Sequence, residues 1–178
     1  NGRTVGQIYR VAGTGVAGHG TDNQAALSHQ FNHPYGLDFD SHGNLFIADF
    51  HNEMIKVLCL VNAGGCSGKA LGNIHYVAGV YNDVSNGNDG VLALSAPIGR
   101  PYGVRVDSRD NVYIPDYLNF RVRVICNDVS FGFCNSKLVG RHYRIAGNGV
   151  NADGGDGVGT SESIGQTMDI AFDSLDNV

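Results

Sequence analysis

The stretch HPYGLDFDSHGNLFIAD, from His33 to Asp49, holds two histidines and three aspartates in seventeen residues. Imidazoles and carboxylates are the groups that bind metal ions and move protons near neutral pH. Density alone does not make a site, so spacing has to be read with it. The seven histidines (His19, His29, His33, His42, His51, His75 and His142) show neither H-E-x-x-H nor H-x-H spacing. A metal would therefore have to collect ligands from separate segments. No G-x-S-x-G elbow is present, and GTGVAG (Gly13 to Gly18) is not followed by Gly-Lys-Ser, so neither a nucleophile elbow nor a phosphate loop is expected.

Three acidic, glycine-rich segments could suit calcium, a hard cation that takes oxygen ligands. They are Gly18 to Ala26, Ser85 to Ala93 and Asn151 to Thr160. None follows the D-x-[DN]-x-[DN]-G-x5-E loop, and the third supplies the calcium candidates, Asp153 and Asp156. The competing reading is turn chemistry, in which Asp and Asn cap turns and Gly supplies positive φ.

The elements that must carry these residues are legible in a repeat. GQIYRVAG (Gly6 to Gly13) returns as GNIHYVAG (Gly72 to Gly79) and GRHYRIAG (Gly140 to Gly147), at offsets of 66 and 68. The opening stretch returns as RPYGVRVDSRDNVYIPD (Arg100 to Asp116) and, in part, as QTMDIAFDSLDNV (Gln166 to Val178). Asp40, Asp107 and Asp173 are then equivalent, as are Asp22, Asp89 and Asp156. A period near 67 residues places a propeller, solenoid or array first. Within each copy, side chains alternate with a period of two, as strands require, and Ser/Asn/Gly/Asp clusters separate the runs. The segments Tyr35 to Asp40, Asn44 to Asp49, Met54 to Leu60 and Ile74 to Gly79 read as four strands. So do Tyr102 to Asp107, Asn111 to Asp116, Arg121 to Ile125 and Tyr143 to Gly147. Short strands joined by tight turns pair antiparallel.

Composition agrees with a folded β-protein. Hydrophobic residues make up 42% and charged residues 16% of 178, enough for a core and against disorder. The 26 glycines without a collagen period imply many tight turns. A net charge of −5 argues against nucleic acid as a partner, and no apolar run is long enough for a membrane span.

The order V-A-G…P-Y-G-L-x-x-D-x-x-G-N-L-F-I-A-D-x-x-N…K-V resembles NHL repeats, the units of NHL-type β-propellers. The resemblance implies an all-β fold: a propeller segment of four-stranded antiparallel blades, about 2.7 repeats of ~67 residues. It divides the chain into 1–13, the outer strand of a preceding blade; 14–79, repeat 1; 80–147, repeat 2; and 148–178, a partial repeat 3. The first strand of each blade would lie nearest the axis. The family pattern often has Arg after the Asn that follows the second strand. Arg121 fits it and Met54 departs, so an Asp116–Arg121 ion pair is expected in repeat 2 and none in repeat 1. Because 2.7 repeats would leave blade faces open, the chain is expected to be a window of a longer protein or a subunit completed by neighbouring blades or chains.

Cys59 and Cys66, and Cys126 and Cys134, form two local pairs that recur with the repeat. Each pair brackets a hairpin, so a disulfide is the first reading; reduced thiols and a metal site are the others. Bridges would imply an extracellular, cell-surface or periplasmic location.

The expected function is non-catalytic: an extracellular interaction or structural scaffold, with a protein or glycan ligand and no cofactor. His33, Tyr35, Arg100 and Tyr102 form the candidate binding set on the loop face around the axis. Two alternatives are an extracellular fibre subunit and a propeller lyase or hydrolase with an axial metal. In the latter, His33 is the one histidine placed to face a channel. Its equivalents, Arg100 and Gln166, do not repeat it.

Overall fold

The computed structural model describes Gly2 and residues 4–178. Its strands, in chain order, are β1 (Gln24–Ala25), β2 (Pro34–Phe39), β3 (Leu45–Asp49), β4 (Met54–Leu58), β5 (Asn73–Ala78), β6 (Arg105–Val106), β7 (Val112–Asp116), β8 (Arg121–Cys126) and β9 (Arg141–Ala146). All pairings within the two sheets are antiparallel. One sheet has the order β1-β5-β4-β3-β2 and the other β6-β7-β8-β9. Short 3-10 turns join them, and the chain is all-β. The two sheets lie side by side and do not close into a ring.

Three strand expectations need correction. Repeat 1 has a fifth strand: β1 adds outside β5, and an isolated Leu92–Arg141 bridge marks the same addition in repeat 2. The reason is an aspartate in each preceding loop. Asp22 Oδ1 accepts the Tyr76 amide at 2.8 Å and Asp89 Oδ1 accepts the Arg144 amide at 2.9 Å, so each loop is tied to an outer strand. The inner strand of repeat 2 pairs only over β6, apart from a Pro101–Asp116 bridge. The segment from Gly6 to Gly13 forms no strand, whereas its equivalents pair with β4 and β8.

Strands β3, β4, β7 and β8 read as near-continuous apolar runs because both of their faces are covered. Phe46 and Ala48 of β3, with Ile55 and Val57 of β4, join Ile98, Val104, Val106, Val112 and Ile114 in one buried cluster between the sheets. The alternate residues, Ile47 and Leu58, pack with Ala26, Ile74 and Phe31 on the far side. Beyond the second sheet, Tyr113, Val122 and Val124 meet Ile170 and Phe172 of the third copy. The Tyr113 and Phe172 rings stand edge to face at 4.9 Å. The sheets approach closely at Gly36, where a Cβ would lie 2.5 Å from the Gly103 Cα.

Two polar devices recur. The first is the turn after the inner strand. Asp40 Oδ1 accepts the amides of His42 and Asn44 at 3.0 and 2.8 Å, and Asn44 Oδ1 accepts those of Leu60 and Val61. Asp107 with Asn111, and Asp173 with Asn177, repeat the Asp–Asn turn, so the third copy keeps it without a strand pairing. Turns of adjacent copies also touch: Asp110 Oδ1 accepts the Ser41 amide at 2.8 Å, and Asp176 accepts the Ser108 hydroxyl.

The second device is a buried ion pair, and it corrects the expected partners. Asp116 pairs with Arg123, Nε to Oδ2 at 2.5 Å, while Arg121 donates instead to the Asn148 carbonyl. Repeat 1 has a pair as well, Asp49 with Lys56 at 2.6 Å. All four side chains are at most 1% exposed. A ladder irregularity falls immediately before the cation in both repeats, at Ile55/Lys56 and Val122/Arg123. The extra residue lies on the outer strand, Val77 or Ile145, while β3–β4 and β7–β8 stay in register; the cation sits two places beyond the expected one and so on the same face of its strand.

Both cysteine pairs are bridged, Cys59–Cys66 and Cys126–Cys134, with Cα separations of 5.5 and 5.4 Å. Two disulfides fit an oxidising, non-cytoplasmic location. Among the described residues no helix is long and apolar enough to cross a membrane.

Asp116→Asn leaves the buried Arg123 guanidinium with only the half-exposed Asp89 carboxylate, 3.9 Å away, as counter-charge and is expected to cost about 3–5 kcal/mol in urea unfolding. A loss below about 1 kcal/mol would show the pair to be dispensable. Alkylation of the unreduced protein should add no label to any of the four cysteines, and labelling appears only after reduction. Each bridge closes a short loop, for which the chain-entropy relation gives roughly 2–3 kcal/mol.

Candidate functional site

The starts of the two inner strands lie beside the ends of β3 and β7. Pro34 is paired with Asp49, and Pro101 with Asp116. The same carboxylates that hold Lys56 and Arg123 also accept the amides of Asn32, at 2.7 Å, and Gly99, at 2.6 Å. The buried pairs thus fix the residues just before His33 and Arg100. Both of these take positive φ, 54° and 57°, ahead of a proline. A bulky residue there is strained. The two copies share the backbone and differ in the side chain displayed.

Around these positions the structure gathers one aromatic cluster. Tyr35 and Tyr102 stack at 4.6 Å with planes 4° apart. Phe50 stands edge-on to both, at 5.1 and 5.4 Å, and Tyr117 lies 5.8 Å from Tyr102. His33 meets His51 at 4.7 Å, and His51 meets Phe50 at 4.9 Å. The Arg100 guanidinium carbon lies 5.8 Å above Phe50. His33, Tyr35, Arg100 and Tyr102 therefore share one face, linked through Phe50.

Four members of this face were not singled out from sequence: Phe50, His51, Glu53 and Tyr117. A signal existed for two of them, because Phe50 and Tyr117 are aromatic at the repeat offset, each directly after a pairing aspartate. Glu53 has no such echo, since its equivalent is Phe120. Its side chain is buried, with Oε1 3.8 Å from Arg100 Nε and Oε2 without a partner. Burial pushes its carboxyl up, against the pull of Arg100 and the Asn82 amide. His51 is pushed down by burial, then by Arg100 and His33.

A second polar cluster backs this face in repeat 1. Lys56 Nζ donates to the His19 carbonyl at 2.6 Å and to His29 Nε2 at 3.1 Å. The Tyr76 hydroxyl donates to the Gly20 carbonyl and accepts from His19 Nε2, both at 2.9 Å. Burial and then Lys56 lower His29 to about 4, so it stays neutral and accepts from the ammonium. Burial, with Asp22 and Asp49, raises Tyr76 to about 12.

The calcium candidates do not converge. Asp153 and Asp156 are exposed, and no third metal-capable side chain groups with them among the described residues. Asp22 and Asp89 show what this position does, which is to bind a backbone amide of an outer strand. His33 likewise joins no three-ligand group among the described residues. The one such group is Asp40, His42 and Asp110, where His42 Nδ1 lies 3.1 Å from Asp110 and Asp40 already serves its own turn. Asp38, Asp40 and His42 of the opening stretch thus act as turn and inter-repeat links.

No family model and no curated protein matches the chain. Among solved structures, a structural genomics protein of unknown function from Bacteroides thetaiotaomicron is similar in fold. The TM-score is 0.56 and the sequence identity 19%. The match covers 79% of this chain and 30% of that one, so the chain spans about a third of that protein's length.

Stability should fall with acid. His29 titrates near 4 when folded and near 6.5 when exposed, so the unfolded chain binds the proton first as pH falls below 6.5. The stabilisation from keeping His29 neutral is full above that pH and is lost progressively down to about 4. His29→Gln keeps an acceptor for Lys56 and should flatten the decline measured by thermal melts between those pH values. An unchanged slope would contradict this reading of His29.

Proposed function

We propose that the chain is a segment of an NHL-type β-propeller that works outside the cytoplasm as a non-catalytic interaction scaffold. The observation that carries this reading is the loop face around Phe50. Its backbone repeats, with His33 and Arg100 in the same left-handed conformation, while the displayed side chains differ. Constant backbone with variable chemistry is how a scaffold presents a binding surface.

Support for the propeller comes from how residues at equivalent positions are covered. Val104 and Val106 are 0% and 9% exposed beneath repeat 1, whereas Leu37 and Phe39 are 53% and 56% exposed. A further repeat, in the same chain or a neighbouring one, would cover Leu37 and Phe39 as repeat 1 covers the two valines. The disulfides support an extracellular, cell-surface or periplasmic setting for the scaffold. The ligand is a glycan or a protein, met by the exposed parts of the aromatic cluster.

The test is an array of extracellular glycans and proteins probed with the wild-type chain and with Tyr35→Ala/Tyr102→Ala. The wild type should bind at least one class of target. The double variant should lose that binding by about tenfold or more while keeping the cooperative melt of the wild type. Binding that survives the double substitution would move the interaction surface elsewhere.

A further inference from the structure

We infer that the face around Phe50 is a subsite for an acidic saccharide, with the carboxylate of a uronate-type sugar on Arg100 and its pyranose ring against Tyr35. The inference rests on the interaction face proposed above and names its ligand chemistry.

Arg100 is distinctive among the described arginines. Arg10, Arg105, Arg109, Arg121, Arg123, Arg141 and Arg144 each donate at least one side-chain hydrogen bond. Arg100 shows none; its Nε is buried without a partner, and its side chain is 41% exposed. Its nearest carboxylate, Glu53, stays at 3.8 Å, beyond hydrogen-bonding distance. A guanidinium carries five donors in a planar fork that matches a carboxylate. Here that fork is held over Phe50 with its donors unused.

The surroundings favour a negative group. His33 and His51 lie together beside Arg100, and His51 is disfavoured as a cation by burial, Arg100 and His33. An arriving anion would relieve that repulsion. The carboxylates on neighbouring elements are Asp49, engaged with Lys56, Asp116, engaged with Arg123, and Glu53, buried beneath Arg100. No other acid is placed against the Arg100 fork in the ion pairs of the described residues.

The aromatic part selects the carrier of the charge. Tyr35 stacks one face on Tyr102 and still leaves 49% of the residue exposed. Tyr35, Tyr102 and the Arg100 guanidinium all lie within 5.8 Å of the Phe50 ring. Tyr35 and the Arg100 guanidinium flank one Phe50 ring, at 5.1 and 5.8 Å, and a pyranose bearing a carboxylate one bond from its ring offers a flat C–H face to the first and an anion to the second. Tyrosine offers the stacking face and a hydroxyl for the sugar's own hydroxyls.

The experiment is calorimetric titration of the whole chain with tetragalacturonate, with maltotetraose, acetate and an oligoglutamate peptide as the other arms. Tetragalacturonate should bind, and tighten as pH falls from about 7.5 to 5.5 because the anion favours the charged form of His51, which burial and Arg100 oppose. Arg100→Gln should weaken it roughly tenfold or more, and Arg100→Lys should restore only part, since a point charge replaces the fork. Arg100 is partly exposed, so its variants should melt like the wild type. Wild-type affinity in Arg100→Gln overturns the inference, as does equal binding of maltotetraose. Binding of acetate or the peptide as tightly as tetragalacturonate overturns the saccharide assignment. No tetragalacturonate binding, with array binding still lost in Tyr35→Ala/Tyr102→Ala, removes this inference and leaves the interaction face standing.

Discussion

A buried carboxylate paired with a buried cation organises each repeat. Asp49 with Lys56, and Asp116 with Arg123, sit in the dry interior, where an unpaired charge would cost several kcal/mol. Each carboxylate also accepts a backbone amide of the segment leading to the inner strand and an amide hydrogen of Asn52 or Asn119. Each cation reaches into the preceding loop, Lys56 to His19 and Arg123 to Gly87. One pair therefore ties together the inner strand, the following turn and the outer loop. Everything displayed on the loop face inherits its position from this anchor.

The two repeats solve the same problem with different volumes. Arg123 fills its cavity alone, bonding Asp116, Gly87 and Asn86. Lys56 is shorter and has one nitrogen, and the space and the acceptor it needs come from His29, where repeat 2 has Ala96. The exchange of Arg and Ala for Lys and His keeps the site packed and the buried cation paired. It also gives repeat 1 a titratable group that repeat 2 lacks at that position. The proposed binding face sits directly on these anchors, which is why strained residues can be held there.

Much of the architecture was legible in one sequence because the repeat supplies its own alignment. Asp40, Asp107 and Asp173 stand out as turn residues without a structure, and the cysteine spacing points to bridged hairpins. Strand alternation places most of the elements within a residue or two of their observed ends. The errors share one cause. The Asp116 partner is set by a buried diagonal contact between two strands, and the fifth strand by a loop carboxylate reaching across tens of residues; neither leaves a local pattern.

Residue types and the 67-residue offset determined by themselves that this is an all-β chain of repeated hairpins with two recurring cysteine pairs and repeated turn chemistry. Period-two alternation and turn residues act over a few neighbours, so they can be read in order along the chain. Only the tertiary structure decided that Phe50 joins Tyr35 and Tyr102, that Glu53 lies beneath Arg100, and that Lys56 makes the ion pair with Asp49. Those contacts are set by how two sheets pack and which side chains they bury together, and packing geometry is a property of the folded whole.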